Sequence, residues 1–413
     1  MPRDKTIVLS AFAANPNMSS ETGIGWSFIR ATALNARKHD AKVVVVMNQR
    51  SVDPVNAQLK LEGLDGIVEA IGIDMPRSLR VLKDPRLTRF EYVVWWRLAM
   101  RVMKSLERNR NVVLAHHVTF ATEVFPTPIA AFSKAVFKVW GPVGSAGDPE
   151  VYKVRPRARG IAKEAFTQTV RDAVAKLPAG YFGRRVDLVL TQNDAVSELF
   201  DKLGVRNRVF PNVILKPELE DAIKASRAQA SGGPNGSRTG LRILSVGHLV
   251  PRKRFDLGLA VLLEPSMSEA TYRILGKPLE GVADSLPELA RTLGVADRVT
   301  FSGKVTRDQV LAAMFDADVL FHPSGREGAS GVIGEATAVG IPVLCFANTG
   351  ASSVLAASGA SGEAITASAD LPMSEIADAV LRVSTLPRTA SSLWTQDRFQ
   401  ALCAELLAEA AAR

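Results

Sequence analysis

Two carboxylates eight positions apart, Glu327 and Glu335, flank a glycine-rich turn. The stretch reads His322-Pro323-Ser324-Gly325-Arg326-Glu327-Gly328-Ala329-Ser330-Gly331-Val332-Ile333-Gly334-Glu335-Ala336. The turn runs into an alanine-rich, helix-compatible segment at 335–339. The backbone amides of such a turn, with the positive end of the helix behind it, suit an anion. A carboxylate on each side can accept hydrogen bonds from hydroxyls. Together these residues describe a pocket for a ligand that is both phosphorylated and rich in hydroxyls, such as a nucleotide sugar.

Three further constellations carry chemistry. Gly247-His248-Leu249-Val250-Pro251-Arg252-Lys253-Arg254 puts three consecutive cations on a short loop after a strand-like run. Lys supplies a point charge and Arg a two-pronged fork, a combination suited to a diphosphate. Ser19-Ser20-Glu21-Thr22-Gly23-Ile24-Gly25-Trp26 follows the first strand-like run. Its Gly23 and Gly25 would let a ligand approach the backbone and would open a helix beginning near Trp26. It is not the dinucleotide fingerprint, because the third glycine is missing. His116-His117-Val118-Thr119-Phe120 places two of the chain's five histidines at a strand's carboxyl end.

The first of these stretches resembles the E-x7-E signature of the retaining glycosyltransferases with the GT-B fold, family 4 in particular. Gly340-Ile341-Pro342-Val343 closes the motif in the family's manner. Ala329-Ser330-Gly331 departs from the usual Phe-Gly-aliphatic run. The cationic loop resembles the family's Gly-Arg-Leu-x-x-x-Lys-Gly, with Lys253 on the Lys, His248 on the Arg and Arg254 on the Gly. The loop at Ser19–Trp26, the His-x-x-Thr-Phe at His117 and Trp140-Gly141-Pro142-Val143-Gly144 resemble a bacterial subgroup, with Ser145 where that subgroup has another glycine. The resemblance implies a metal-independent hexosyltransferase using a GDP- or UDP-linked donor and no cofactor. It implies Lys253, with Arg252 or His248 and the backbone of Ala329, Ser330 and Gly331, at the diphosphate. Glu327 would hold sugar hydroxyls, Glu335 the ribose and His117 the sugar 6-position, with Gly23 and Gly25 facing donor and acceptor. A nucleotide-sugar epimerase or phosphorylase of the same fold, and a non-catalytic sugar-binding member, remain as alternatives.

The elements that must position these residues alternate along the chain. Strand-like runs at 6–11, 42–47, 112–115, 136–140, 188–191 and 208–213 are separated by helix-compatible stretches. After a polar segment and Ser231-Gly232-Gly233-Pro234-Asn235-Gly236-Ser237, the alternation restarts with strands at 242–246, 272–275, 298–301, 319–321 and 343–346. Such alternation predicts α/β architecture with parallel sheets. The expected fold is GT-B: two doubly wound, Rossmann-like domains facing a central cleft. The expected division is 1–215 for an acceptor-binding domain, 216–240 for a linker, 241–390 for the donor domain and 391–413 for a helix returning to the first domain.

With 413 residues and 47% hydrophobic content, two ordinary cores are affordable. No apolar run reaches the roughly 20 residues of a membrane span, and no secretory signal precedes the first strand. The two cysteines, Cys345 and Cys403, lie in apolar contexts without metal-ligand spacing, as expected of buried thiols in a reducing compartment. No Cys/His cluster suits zinc, and Asp316-Ala317-Asp318 reads as a helix-to-strand junction. The net charge of +9 is concentrated between Arg77 and Arg110, where ten Lys/Arg meet only Asp84, Glu91 and Glu107. Trp95, Trp96 and Phe90 lie in the same segment. It is read as a site for an anionic membrane surface rather than for nucleic acid, since no nucleic-acid motif accompanies it. The expected partners are a nucleotide sugar and a lipid-linked or polysaccharide acceptor, in a cytoplasmic protein peripheral on the plasma membrane.

Overall fold

The computed structural model describes residues 4–18, 20–144, 147–155, 158, 160–230, 240–278 and 285–413. Residues 231–237 of the expected linker, with Ser19 and Ser145, lie outside the described residues. The first unit runs β1 (Lys5–Ala11), α1 (Ser20–Lys38), β2 (Lys42–Asn48), α2 (Val52–Leu61), β3 (Val68–Ile73), α3 (Thr88–Asn109), β4 (Asn111–Thr119), β5 (Phe137–Val143), α4 (Ile161–Gly183), β6 (Leu188–Thr191), α5 (Asp194–Lys202) and β7 (Asn207–Val209). The second runs α6 (Pro217–Ala230), β8 (Arg242–Val246), α7 (Phe255–Val261), β9 (Thr271–Leu275), α8 (Ser285–Thr292), β10 (Val299–Phe301), α9 (Arg307–Asp316), β11 (Val319–His322), α10 (Gly331–Val339), β12 (Val343–Phe346), α11 (Gly350–Ser358), β13 (Gly362–Ile365) and α12 (Met373–Ser384). A last helix, α13 (Gln396–Ala411), ends the chain.

Every strand pair is parallel. Parallel strands covered on both faces read as near-continuous apolar runs. In β2 every residue but Lys42 is buried. The first sheet has the order β3-β2-β1-β4-β5-β6-β7 and the second β10-β9-β8-β11-β12-β13. Each order reverses once, between β1 and β4 and between β8 and β11. In such sheets ligands bind outside the carboxyl ends of the strands at the reversal. Side chains of α1 and α13 fill one face of the first sheet. Those of α3, α4 and α5 fill the other.

The structure departs from the sequence reading in several places. Edge strands β3 and β13 were not foreseen; Glu69 and Gly72 in the first and Glu363 in the second interrupt the continuous apolar run by which a buried parallel strand is recognised. Residues 217–230, expected as a polar, helix-prone part of the linker, do form a helix, α6, but its Leu219 and Ile223 are buried in the second unit's core. Helix α1 begins at Ser20, so Gly23 and Gly25 lie inside its first turns rather than before it. Residues 393–395 precede α13, and Trp394 is buried with its indole N–H on Thr337 Oγ1 at 2.9 Å. Helix α13 then buries Phe399, Leu402, Cys403 and Leu406 in the first unit's core.

The connection from β5 to α4 does not stay with the first unit. Val151 and Val154 are buried in the second core. Gly147 bridges Arg326, and the Asp148 amide donates to the Gly325 carbonyl at 3.0 Å. Arg254 bolts this strap in place. It is fully buried, donates to the carbonyls of Val151 and Val154, and pairs with Asp256 at 3.1 Å. Its backbone is left-handed, with φ 53°, a cost of about 1 kcal/mol that the bonds offset. Arg254 therefore serves the architecture and is turned away from the other two cations of its loop. Arg254→Met, which strands Asp256 and two carbonyls, is expected to destabilise the protein by about 3–5 kcal/mol. Thermal melting checks this; Arg254→Met with Asp256→Asn should recover part of the loss.

Candidate active site

Lys253 and Glu327 come together at the reversal of the second sheet. Lys253 ends a short 3-10 turn, Pro251–Lys253, after β8. Glu327 follows β11. Lys253 Nζ lies 2.6 Å from Glu327 Oε1, and both side chains are nearly buried. The same oxygen accepts from Ser324 Oγ at 2.7 Å and Arg252 Nη1 at 3.4 Å, with His322 Nε2 at 3.5 Å. Burial pushes the Glu327 carboxyl up. Lys253, with His322 and Arg252, outweighs that and holds it well below the usual carboxylate range. Burial and the Lys253 charge lower His322, so its imidazole is neutral. The stem of Lys253 reaches the carboxylate over Gly247, where a Cβ would lie 3.2 Å from Lys253 Cε.

The turn after Glu327 is shaped from the first unit. Asn193, which caps α5, donates its amide to the carbonyls of Glu327 at 3.1 Å and Gly328 at 2.9 Å. In a trans peptide the N–H points opposite to the C=O. The amides of Gly328 and Ala329 are thus aimed away from Asn193. Among the described residues none of the amides of Gly328, Ala329, Ser330 or Gly331 has a hydrogen-bond partner. Ser330 is the residue before α10, but its hydroxyl turns inward to His322 at 3.4 Å and leaves the helix uncapped. The outcome is a run of free donors at a helix N-terminus beside Lys253 and Arg252, an arrangement that attracts anions.

Glu335 lies one turn into α10 and is buried. Arg307, the first residue of α9, reaches its Oε1 at 2.5 Å. Its Oε2 is buried with no partner among the described residues. Burial raises this carboxyl to about 7 against the opposing pull of Arg307.

On the first unit's side, His117 lies on β4, between β1 and β5, and is fully buried. Tyr92 donates to the Pro126 carbonyl at 2.6 Å and so accepts from His117 Nε2 at 3.1 Å. Nδ1 then takes the Ser10 hydroxyl at 2.8 Å. Burial, reinforced by His116, lowers His117 to about 3, so it is neutral with both nitrogens engaged. Gly23 packs on the Met18 carbonyl, and Gly25 against the Ala13 carbonyl and Thr119; both permit close packing of α1. Glu21, open to solvent yet walled by protein, accepts the Phe120 amide, and that wall raises its carboxyl. Phe120 has a φ of 57°, a strained value for a bulky residue.

The structure thus gathers Lys253, Arg252 and Glu327, with the turn through Ala329, Ser330 and Gly331 and with Glu335 on the helix behind it. It leaves His248 exposed and outside the contacts of the Glu327 cluster. Sequence reasoning missed His322 and Ser324 as partners of Glu327, although both stand in the quoted motif. It also missed Asn193 and Arg307, for which the local sequence carries no signal. Asp316 and Asp318 both pair with Arg242, at 2.6 and 2.8 Å.

Comparison with known proteins follows this geometry. Residues 234–393 match the family model described as Glycosyl transferases group 1. A segment of 122 residues is 36% identical to D-inositol 3-phosphate glycosyltransferase of Mycolicibacterium smegmatis, covering 28% of this chain. The match spans only 27% of that protein's length. The whole chain superposes on sucrose-phosphate synthase from Thermosynechococcus elongatus with TM-score 0.60, 16% identity and 99% of each chain covered. It is similar to the lipopolysaccharide outer core galactosyltransferase WaaB, with TM-score 0.60, 14% identity and 98% and 99% covered. It is also similar to Anabaena HepE in complex with UDP, with TM-score 0.54, 18% identity and 98% and 100% covered. At these identities the likeness shows the fold: two Rossmann-like domains arranged as in GT-B glycosyltransferases.

The raised Glu335 carboxyl sets a pH dependence. The folded state holds this proton to about 7 while an ordinary Glu releases it near 4.5. The folded protein thus binds more protons between those values, and its stability falls as pH rises through that window. Glu335→Gln should flatten this slope and gain about 2–3 kcal/mol relative to the parent at pH 8 over pH 5. Urea melts at the two pH values would show it.

Proposed function

We propose that this chain is a retaining, metal-independent glycosyltransferase. In this reading it moves a hexose from a GDP- or UDP-linked sugar to a lipid-linked saccharide, forming an α-linkage during assembly of a surface polysaccharide. The observation that carries the reading is the Lys253–Glu327 pair beside the unpartnered amides of the Gly328–Gly331 turn. That combination offers positive charge and free donors for a diphosphate, with a carboxylate for hydroxyls alongside. The UDP and UDP-glucose held by the similarly folded Anabaena protein support a nucleotide-sugar donor.

The chemistry follows from the charges. Breaking the bond to the nucleotide leaves a cationic sugar and builds negative charge on the diphosphate. Lys253, Arg252 and the turn's amides stabilise that leaving group, a preorganised electrostatic effect of several kcal/mol. These cations make a metal unnecessary for it. The freed phosphate oxygen takes the acceptor's proton on the face from which it departed, so configuration is kept without a protein nucleophile. Glu327 holds sugar hydroxyls. The unpartnered Glu335 Oε2 accepts from the ribose. His117 meets the sugar 6-position by exchanging its Tyr92 bond for a hydroxyl. His248, exposed at the loop's edge, joins the diphosphate only as the domains close.

The acceptor side points to a membrane. The exposed face of α3 carries Arg89, Arg97, Arg101, Lys104 and Arg108, and Glu91 is buried against Arg50. Of the aromatic residues in the 77–110 segment, Trp95 is fully buried, as is Tyr92, Trp96 is half-buried against Phe182, and Phe90 is exposed. Among the described residues no helix is long and apolar enough to cross a membrane. The reading is of a cytoplasmic protein held peripherally on an anionic inner face.

A panel of nucleotide sugars followed by thermal stabilisation without metal tests the donor half. One donor should raise the melting point, and Lys253→Ala should abolish the rise. Glu335→Ala should weaken that donor by about tenfold or more through loss of a charged hydrogen bond. Absence of any shift across the panel would contradict the assignment.

A further inference from the structure

Helix α4 carries a feature that the catalytic reading does not use. Phe166, Val170, Val174, Leu177 and Tyr181 are 69, 46, 56, 82 and 54% exposed. At 3.6 residues per turn they fall on one stripe roughly 80° wide. The helix's buried face is made of Ile161, Gln168, Ala175, Ala179, Gly180 and Gly183. A helix solvated on its outer side ordinarily shows charged and polar residues there; this one shows its larger apolar side chains instead.

The charges around the stripe are of one sign. Lys163 and Lys176 are exposed on α4, with Arg184 and Arg185 just beyond its end. Its two acids are withdrawn. Glu164 faces Arg326 at 3.5 Å, and Asp172 accepts from Gln168 at 2.8 Å. Helix α3 lies on the same side of the sheet, its Trp96 meeting Phe182 edge-on at 6.1 Å. Neither helix has an exposed acid. In a symmetric pairing of two copies the same patch meets itself, so this cationic border would be set against its own like. An anionic bilayer satisfies both the apolar stripe and its border.

We propose that α4 lies in the interface of an anionic membrane, with the Phe166–Tyr181 stripe among the acyl chains and the arginines of α3 on the headgroups. This refines the membrane partner proposed above: the apolar element is α4, not the tryptophans of α3. The placement also connects with the site. The first turn of α4 holds Glu164, which faces Arg326, the residue before Glu327. A lipid-linked acceptor entering from that surface would meet the donor turn.

Co-sedimentation with phosphatidylcholine vesicles, with and without phosphatidylglycerol, tests the proposal without any donor. The full chain should bind only the anionic vesicles and release them as salt rises. Val170→Ser with Leu177→Ser, both at exposed positions, should weaken binding about tenfold or more at an unchanged melting point. Equal binding by that variant would overturn the α4 assignment; if Arg97→Ser with Arg101→Ser then lost binding, the membrane reading through α3 would stand alone. No binding by the parent chain would overturn both. A concentration-dependent dimer broken by the α4 variant would assign the stripe to a second copy and overturn the proposal. Donor-induced thermal stabilisation is read separately, so failure of the transferase reading stays distinguishable.

Discussion

A carboxylate stays ionised inside a protein only if positive charge is brought to it, and Glu327 sets that requirement for the whole site. Lys253 meets it at 2.6 Å, helped by Arg252 and by the hydroxyl of Ser324. Each partner arrives on a different piece of chain, one after β8 and the other after β11. These are the two strands between which the second sheet reverses. Satisfying one buried charge therefore fixes the relative placement of two strand ends and the turn between β11 and α10. The ion pair also holds a lysine and a carboxylate in place for a ligand that needs both.

The first unit takes part in that geometry. Asn193 holds the carbonyls of Glu327 and Gly328. Gly350, at the start of α11, packs so closely on the Gly328 carbonyl that a Cβ there would lie 1.9 Å from it. The strap through Val151 and Val154 is bolted into the second core by Arg254. The turn after Glu327 is thus pressed from both domains, and the β5–α4 connection belongs by its contacts to the unit it crosses into. Helix α4 leaves that junction toward the exposed face where the membrane is proposed.

What was legible in the sequence was local. Strand ends followed by Lys253 and by Glu327 could be read because each motif sits within a few residues of an apolar run that forms a buried strand. The alternation of those runs carried the fold class for the same reason. What escaped depends on contacts distant in sequence. Asn193 meets a turn 134 residues away, and Arg254 meets a carbonyl 103 residues away. Neither leaves a local mark. The segment 77–110 shows the reverse hazard. Its charge was plain, but which face of α3 holds Trp95 was set by packing against Phe12 and Tyr92. The apolar stripe of α4 went unread because Phe, Val, Leu and Tyr at helical spacing ordinarily mark a core face.

The central claim is that Lys253 supplies the counter-charge for a diphosphate. Calorimetric titration of nucleoside diphosphate against the matching monophosphate tests it most directly, in the parent chain, Lys253→Ala and Glu327→Gln. The account predicts a diphosphate preference of about tenfold or more in the parent, its loss in Lys253→Ala, and its retention in Glu327→Gln, where Lys253 is freed. An undiminished diphosphate preference in Lys253→Ala would contradict the account.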